Sequence, residues 1–185
     1  MTLHTSHDEA FGTRAAALVG EGSGTLHAFR YITAALRLSL GWVFLWAFLD
    51  KLFGLGHETS SAQAWVNGGH PTAGFLTKAA KGPFADFYHS ISGSFSDWLF
   101  MLGLLGIGVA LIAGIAMRIA ASAGALLLVL MWSAVLPPAN NPFMDDHLIY
   151  ALALGSLALL GAGHVFGFGA AWERLPLVRR YPFLK

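Results

Sequence analysis

The sequence predicts an all-α integral membrane protein, a four-helix bundle with short extracytoplasmic amphipathic helices between its first and second spans. Three observations carry that expectation. Of 185 residues, 56% are apolar and only 11% are Asp, Glu, Lys or Arg, less than half the charged share of an average soluble domain. Four stretches each supply roughly the 20 mainly apolar residues that a helix needs to cross a hydrocarbon core of about 30 Å. Lipid offers no hydrogen-bond partners, so a short chain must satisfy its backbone polar groups within each spanning segment, and helices do this.

The same numbers exclude other classes. The apolar excess rules out disorder, and a net charge of +1 with no basic tract argues against nucleic acid as a partner. With no cysteine, the chain has no disulfide framework, no cysteine-ligated zinc or iron–sulfur cluster, no covalently attached haem and no persulfide-carrying thiol. It contains neither a glycine-rich phosphate loop after a strand nor a Gly-x-Ser-x-Gly elbow, so nucleotide binding and serine hydrolysis have no support.

Residues 1–29 read as a polar N-terminal tail carrying His4, His7, Asp8, Glu9, Arg14 and Glu21. Its apolar run, 15–19, is too short for a signal-peptide core, so the first span is expected to be an uncleaved anchor. Residues 30–170 form the membrane domain, with spans expected at about 31–55, 98–116, 119–136 and 148–168. Residues 171–185 form a basic tail. With both ends inside, Arg14, Arg30, Arg37, Arg118, Arg174, Arg179, Arg180 and Lys185 lie on the cytoplasmic side and only Lys51, Lys78 and Lys81 outside. That asymmetry predicts a plasma (inner) membrane protein with cytoplasmic N and C termini. The outer face is mildly acidic, because Asp50, Glu58, Asp86, Asp97, Asp145 and Asp146 all fall there.

Small residues predict where helices meet, since lipid gives no hydrophobic drive for association. Gly106, Ala110 and Gly114 form one candidate seam in the second span, and Ala151 and Gly155 another in the fourth. The link at Met117 and Arg118 makes spans two and three an antiparallel hairpin. The outer loop, 56–97, is too long for a bare connection. Within it Phe84, Phe87, Tyr88 and Ile91, and also Phe75, Leu76, Ala79 and Ala80, recur at helical spacing, bounded by Pro71 and Gly82-Pro83. These short helices have two readings, a lid that admits a lipid-soluble substrate or an interfacial anchor without chemistry.

Ionisable residues within spans are the best functional pointers, because hydrocarbon makes them costly. Arg37 shares a helical face with Gly41, Phe44, Phe48 and Lys51, whereas Asp50 points away with Trp46 and Ser39. Either Arg37 makes a buried polar contact or it snorkels to headgroups, and Asp50 with Lys51 either forms a site or marks the helix exit. A rise of 1.5 Å per residue separates Arg37 and Lys51 by about 21 Å, too far to serve one small site. The densest constellation is Asp145-Asp146-His147, following Asn140-Asn141-Pro142. Two carboxylates and an imidazole suit proton transfer to or from a quinone or, equally, a divalent metal. Asp at a helix start is also an ordinary cap. No metal-binding motif is present. The predicted spans one to three contain no histidine, which disfavours a bis-histidine haem within the membrane, and haem at the outer surface on His57, His89 or His147 stays open.

The stretch Leu36-Arg37-Leu38-Ser39-Leu40-Gly41-Trp42-Val43-Phe44-Leu45-Trp46, followed by Asp50-Lys51-Leu52 and later by Asn141-Pro142-Phe143-Met144-Asp145-Asp146-His147, resembles the DoxX and DoxD-like membrane proteins. The resemblance implies the four-span fold over 30–170 and the membrane subunit of a thiosulfate:quinone oxidoreductase, oxidising thiosulfate to tetrathionate and passing electrons to membrane quinone. It implies as partners the bilayer, quinone and a small soluble DoxA-like subunit or a sulfurtransferase, and it is compatible with a homo-oligomer. The competing role is a non-catalytic scaffold for a soluble sulfurtransferase or oxidoreductase. The expected catalytic residues are Asp145, Asp146 and His147. The expected substrate or quinone contacts are Arg37, Trp46, Asp50, Lys51 and His57.

Overall fold

The computed structural model describes residues 23–185, all helix, turn and loop, with no strand among the described residues. The tail residues His4, His7, Asp8, Glu9, Arg14 and Glu21 lie outside the described residues. Five main helices follow in order: α1 (Ser23–Phe53), α2 (Ala85–Ser90), α3 (Ser94–Ala113), α4 (Met117–Ala134) and α5 (Asp146–Leu159). Two short helices, α6 (Gly169–Trp172) and α7 (Pro176–Arg180), close the chain. Helices α1, α3 and α4 are long and apolar enough to cross a membrane. The expected boundary at residue 29 moves, because α1 already includes the preceding turns back to Ser23.

The fourth span is shorter than expected. Instead of running over 148–168, α5 stops at Leu159, and its 14 residues reach only about 21 Å. The cause is local. Gly161 is left-handed (φ 61°), and it lets Ala162 N–H reach back to Leu157 O (3.1 Å) and Gly161 N–H to Ala158 O (3.3 Å), the paired bonds of a Schellman stop. Helix α3 ends the same way at Gly114 (φ 69°), where Ile115 N–H donates to Ala110 O (3.1 Å) and Gly114 N–H to Leu111 O (3.2 Å). Beyond Gly161 the chain folds back over the end of α3, with Phe168 N–H donating to Ala113 O (2.7 Å).

The core joins Leu40 and Phe44 of α1, Leu104, Ile107 and Leu111 of α3, Ala121 and Leu128 of α4, and Leu154 and Leu157 of α5. The most extensive pairings are α1 with α3 and α4 with α5, and the expected α3–α4 hairpin meets less extensively. The small-residue seams also differ from those predicted. A side chain at Gly106 or Gly155 would meet nothing within 4 Å. Of the predicted set, Gly114 does approach closely, against Gly163 O, and Ala110 and Ala151 pack on the core; the further close approaches are at Gly41 against Leu111 and Ile112, Gly108 against Leu45, and Gly124 against Leu154. Met101, Leu104, Gly108 and Leu111 are buried, so they form the packed face of α3, and Gly106 faces the other way.

The long loop covers the end of the bundle where α1 stops and α3 starts. Its second half packs on α4: Leu76, Ala80 and Tyr88 form a small core with Ala134, Lys81 N–H donates to Ala134 O (2.8 Å), and the Tyr88 hydroxyl donates to Leu130 O (2.9 Å). Both expected short helices are present, Phe75–Ala79 as a single wide turn and α2 as little more than one turn. Phe84, Phe87 and Ile91 remain exposed.

Candidate functional site

Near the loop end of α1, Trp42, Val43, Trp46 and Ala47 occupy one strip of the helix and line a groove of about 280 Å³ with Asp50, Lys51 and Glu58. Its walls are chiefly apolar, and Trp42 and Val43 are exposed on the surface where lipid would lie. The Trp42 and Trp46 rings sit 5.7 Å apart, and His57 meets Trp46 edge-on at 5.2 Å. Four of the five expected substrate contacts, Trp46, Asp50, Lys51 and His57, are thus gathered in or beside one cavity.

Asp50 gives this region its shape. It is 1% exposed near a helix C-terminus, where the dipole disfavours an anion. Its carboxylate accepts from the backbone N–H groups of His57 (3.3 Å) and Glu58 (3.0 Å), while Gly54 N–H returns to Asp50 O (2.8 Å). The buried carboxylate therefore organises the turn that sets His57 against Trp46 and Glu58 over the groove. Lys51, in the last turn, suits the dipole, and its ammonium has no carboxylate within ion-pair distance among the described residues.

Arg37 lies elsewhere. It is 0% exposed, and its guanidinium donates to Leu111 O and to Ile112 O (2.8 Å), Val165 O (2.9 Å) and Phe166 O (3.0 Å). One cation satisfies the open carbonyls of α3 and those of the returning chain after α5. Backbone carbonyls outside regular helix need other donors, and here Arg37 supplies them. Its Nε has no partner among the described residues. Gly114, Gly163, Gly167 and Gly169 pack around this hub: a Cβ at Gly163 would lie 2.4 Å from Gly114 O, and one at Gly167 would lie 3.2 Å from the Arg37 guanidinium.

Asp145, Asp146 and His147 come together but do not line the groove. Asp145 caps α5, with one oxygen accepting from Leu148 N–H (3.3 Å) and the other 2.8 Å from His147 Nδ1. Asp146 Oδ1 is 3.6 Å from the same nitrogen. One ligand atom from each residue falls within 4.8 Å of the others, close enough for a divalent cation. The approach to α5 is held by hydrogen bonds: Asn141 Oδ1 accepts from Phe143 and Met144 N–H (both 2.9 Å) and Trp132 Nε1–H donates to Phe143 O (2.7 Å). Capping and clustering are therefore both features of these three residues.

Sequence reasoning missed one buried acid. Asp97, in the first turn of α3, is 2% exposed and accepts from Thr72 N–H (2.9 Å) and Thr72 Oγ1–H (2.7 Å), with His70 Nδ1 at 2.8 Å. It pins the middle of the loop to the bundle, beside an edge-on Trp65–Trp98 contact at 4.6 Å. The available signal was an acid at a helix start, where free amides and the dipole favour it. Its loop partners lie 25 and 27 residues away and carry no pattern.

Three apolar helices long enough to span, packed with a shorter apolar fourth, define a multi-span helical membrane protein. The sequence matches the DoxX family over residues 32–137, more than half of the chain, and the chain belongs to that family. The matched region includes Arg37, Trp46, Asp50, Lys51 and His57 and ends before Asp145. No curated protein and no solved structure matches the chain.

Proposed function

We propose that the groove on α1 binds a membrane quinone and that the chain is the quinone-linked subunit of a thiosulfate:quinone oxidoreductase. The groove carries this reading. What supports it is a chiefly apolar groove with two neighbouring indoles, Trp42 exposed, and the Lys51 ammonium among its lining residues. Pockets that take such ligands are mainly apolar with a few converging polar groups.

In this account two thiosulfate ions each lose one electron and join through a new sulfur–sulfur bond, giving tetrathionate. The quinone gains two electrons and two protons and leaves as quinol. Lys51 stabilises negative charge developing on a quinone oxygen. Asp50 holds the turn that carries His57 and Glu58. Asp145, Asp146 and His147, at the same end of the bundle, hand on the protons. Arg37 acts at a distance, by holding the helix ends that position α1.

The test is thiosulfate-dependent reduction of a soluble quinone analogue by detergent-purified protein with its co-purifying partners. Lys51→Gln and Asp146→Asn are expected to lower turnover at least tenfold while leaving the thermal midpoint near that of the wild type. Undiminished turnover in both would overturn the assignment. Absence of activity from intact protein and partners would favour the scaffold role.

A further inference from the structure

We propose that the end of the bundle opposite the long loop is a binding site for anionic phospholipid headgroups, built by the C-terminal segment and the start of α4. The two ends differ sharply in charge. Around the loop end lie Asp50, Glu58, Asp86, Asp97, Asp145 and Asp146 with Lys51, Lys78 and Lys81. At the opposite end lie Arg30, Arg118, Arg174, Arg179, Arg180 and Lys185, with Glu173 the one carboxylate side chain among the described residues there, and it is 3.0 Å from His164 Nε2.

The cations sit on an ordered platform. Val178 of α7 is 1% exposed and anchors the segment. Trp172 Nε1–H donates to Leu184 O (2.7 Å), Arg118 N–H to Lys185 O (2.7 Å) and the Arg118 guanidinium to Pro182 O (3.1 Å). Arg174, Arg179 and Arg180 nevertheless remain exposed, and so do Leu175, Leu177, Tyr181 and Phe183. Arg180 lies over the Tyr181 ring at 5.5 Å. Exposed cations alternating with exposed apolar groups on one anchored segment match a surface with anionic heads above an acyl boundary.

Two further features place that surface at headgroup depth. Phe166 and Phe168 are exposed where the chain turns back, and Tyr31 stacks on Phe166 at 5.6 Å, an aromatic band of the kind found at membrane–water interfaces. A cavity of about 130 Å³ opens there, lined in part by Arg118, Lys185, Trp172 and the His164–Glu173 pair, so the exposed Arg174, Arg179 and Arg180 beside it, rather than the cavity itself, supply the net positive charge that attracts anionic heads.

The experiment follows the thermal midpoint of delipidated full-length protein in a nonionic detergent during titration with dioleoyl phosphatidylglycerol, dioleoyl phosphatidylcholine or inorganic phosphate. Phosphatidylglycerol is expected to raise the midpoint saturably and phosphatidylcholine and phosphate not to. Arg174→Gln, Arg179→Gln and Arg180→Gln should each weaken the apparent affinity roughly fivefold, and the triple change on the order of a hundredfold. Lys78→Gln/Lys81→Gln, at the loop end, should leave it unchanged. Equal response to both lipids, equal loss in the loop-end variant, or wild-type affinity in the triple variant would overturn the proposal. A phosphate response as large as the lipid response would assign the site to a free anion instead. If the triple variant fails to fold, the single variants and the lipid selectivity of the wild type decide the matter.

Discussion

Replacing Arg37 by Met keeps an unbranched apolar stem and removes the guanidinium that joins two carbonyl sets. Leu111 O would still accept from Gly114 N–H. Ile112, Val165 and Phe166 oxygens accept from no other group among the described residues, and each buried orphan costs about 1–3 kcal/mol. Relief from burying a charge offsets part of the roughly 3–9 kcal/mol that three such orphans cost, leaving a net loss of about 3–5 kcal/mol. For a chain of this size that corresponds to a midpoint lower by about 6–20 °C. Differential scanning fluorimetry of the purified protein in detergent measures it. Arg37→Lys should recover only part of the loss, because a single ammonium cannot reach both segments as a planar fork does. A midpoint within about 2 °C of wild type for Arg37→Met would refute the reasoning, since the loss of even one buried hydrogen bond exceeds that.

Gly163→Ala should destabilise the protein strongly, because the new methyl would lie 2.4 Å from Gly114 O and neither backbone can withdraw without breaking the Arg37 hub; expression and thermal midpoint report it. Gly106→Ala is the matched control and should be close to neutral, since nothing lies within 4 Å of its Cβ position. Asp97→Ala should release the segment around His70 and Thr72, seen as faster protease cleavage within 60–75 with little change between 100 and 130. Trp46→Leu should weaken quinone-analogue binding about five- to tenfold through loss of ring contact, read by analogue titration, with the thermal midpoint nearly unchanged.

Much of the architecture was legible because lipid restricts the options. Apolar runs in 31–55, 98–116 and 119–136 could be satisfied only as helices, and α1, α3 and α4 occupy them within a few turns. Residues 148–168 misled because hydropathy counts apolar side chains and does not weigh Gly161, Gly163, Gly167 and Gly169, which permit a stop and a close return. The seams at Gly41, Gly108 and Gly124 escaped for a similar reason. Spacing of four identifies a possible face, and the neighbouring bulky residues, not the small ones, select which face packs. At the candidate site, the gathering of Trp46, Asp50, Lys51 and His57 followed from their nearness in sequence. The four carbonyls held by Arg37 did not, since they lie 74 to 129 residues away and backbone acceptors leave no mark in side-chain chemistry.

The measurement that bears most directly on the central claim is photolabelling of proteoliposomes with an azido-quinone, followed by peptide mapping. Adducts are expected to concentrate within 42–58, to be reduced by excess unlabelled quinone and to be lost in a Trp46→Leu/Lys51→Gln variant. Competable labelling confined to 140–147, or labelling spread evenly over the lipid-facing surfaces of all the helices, would contradict that claim.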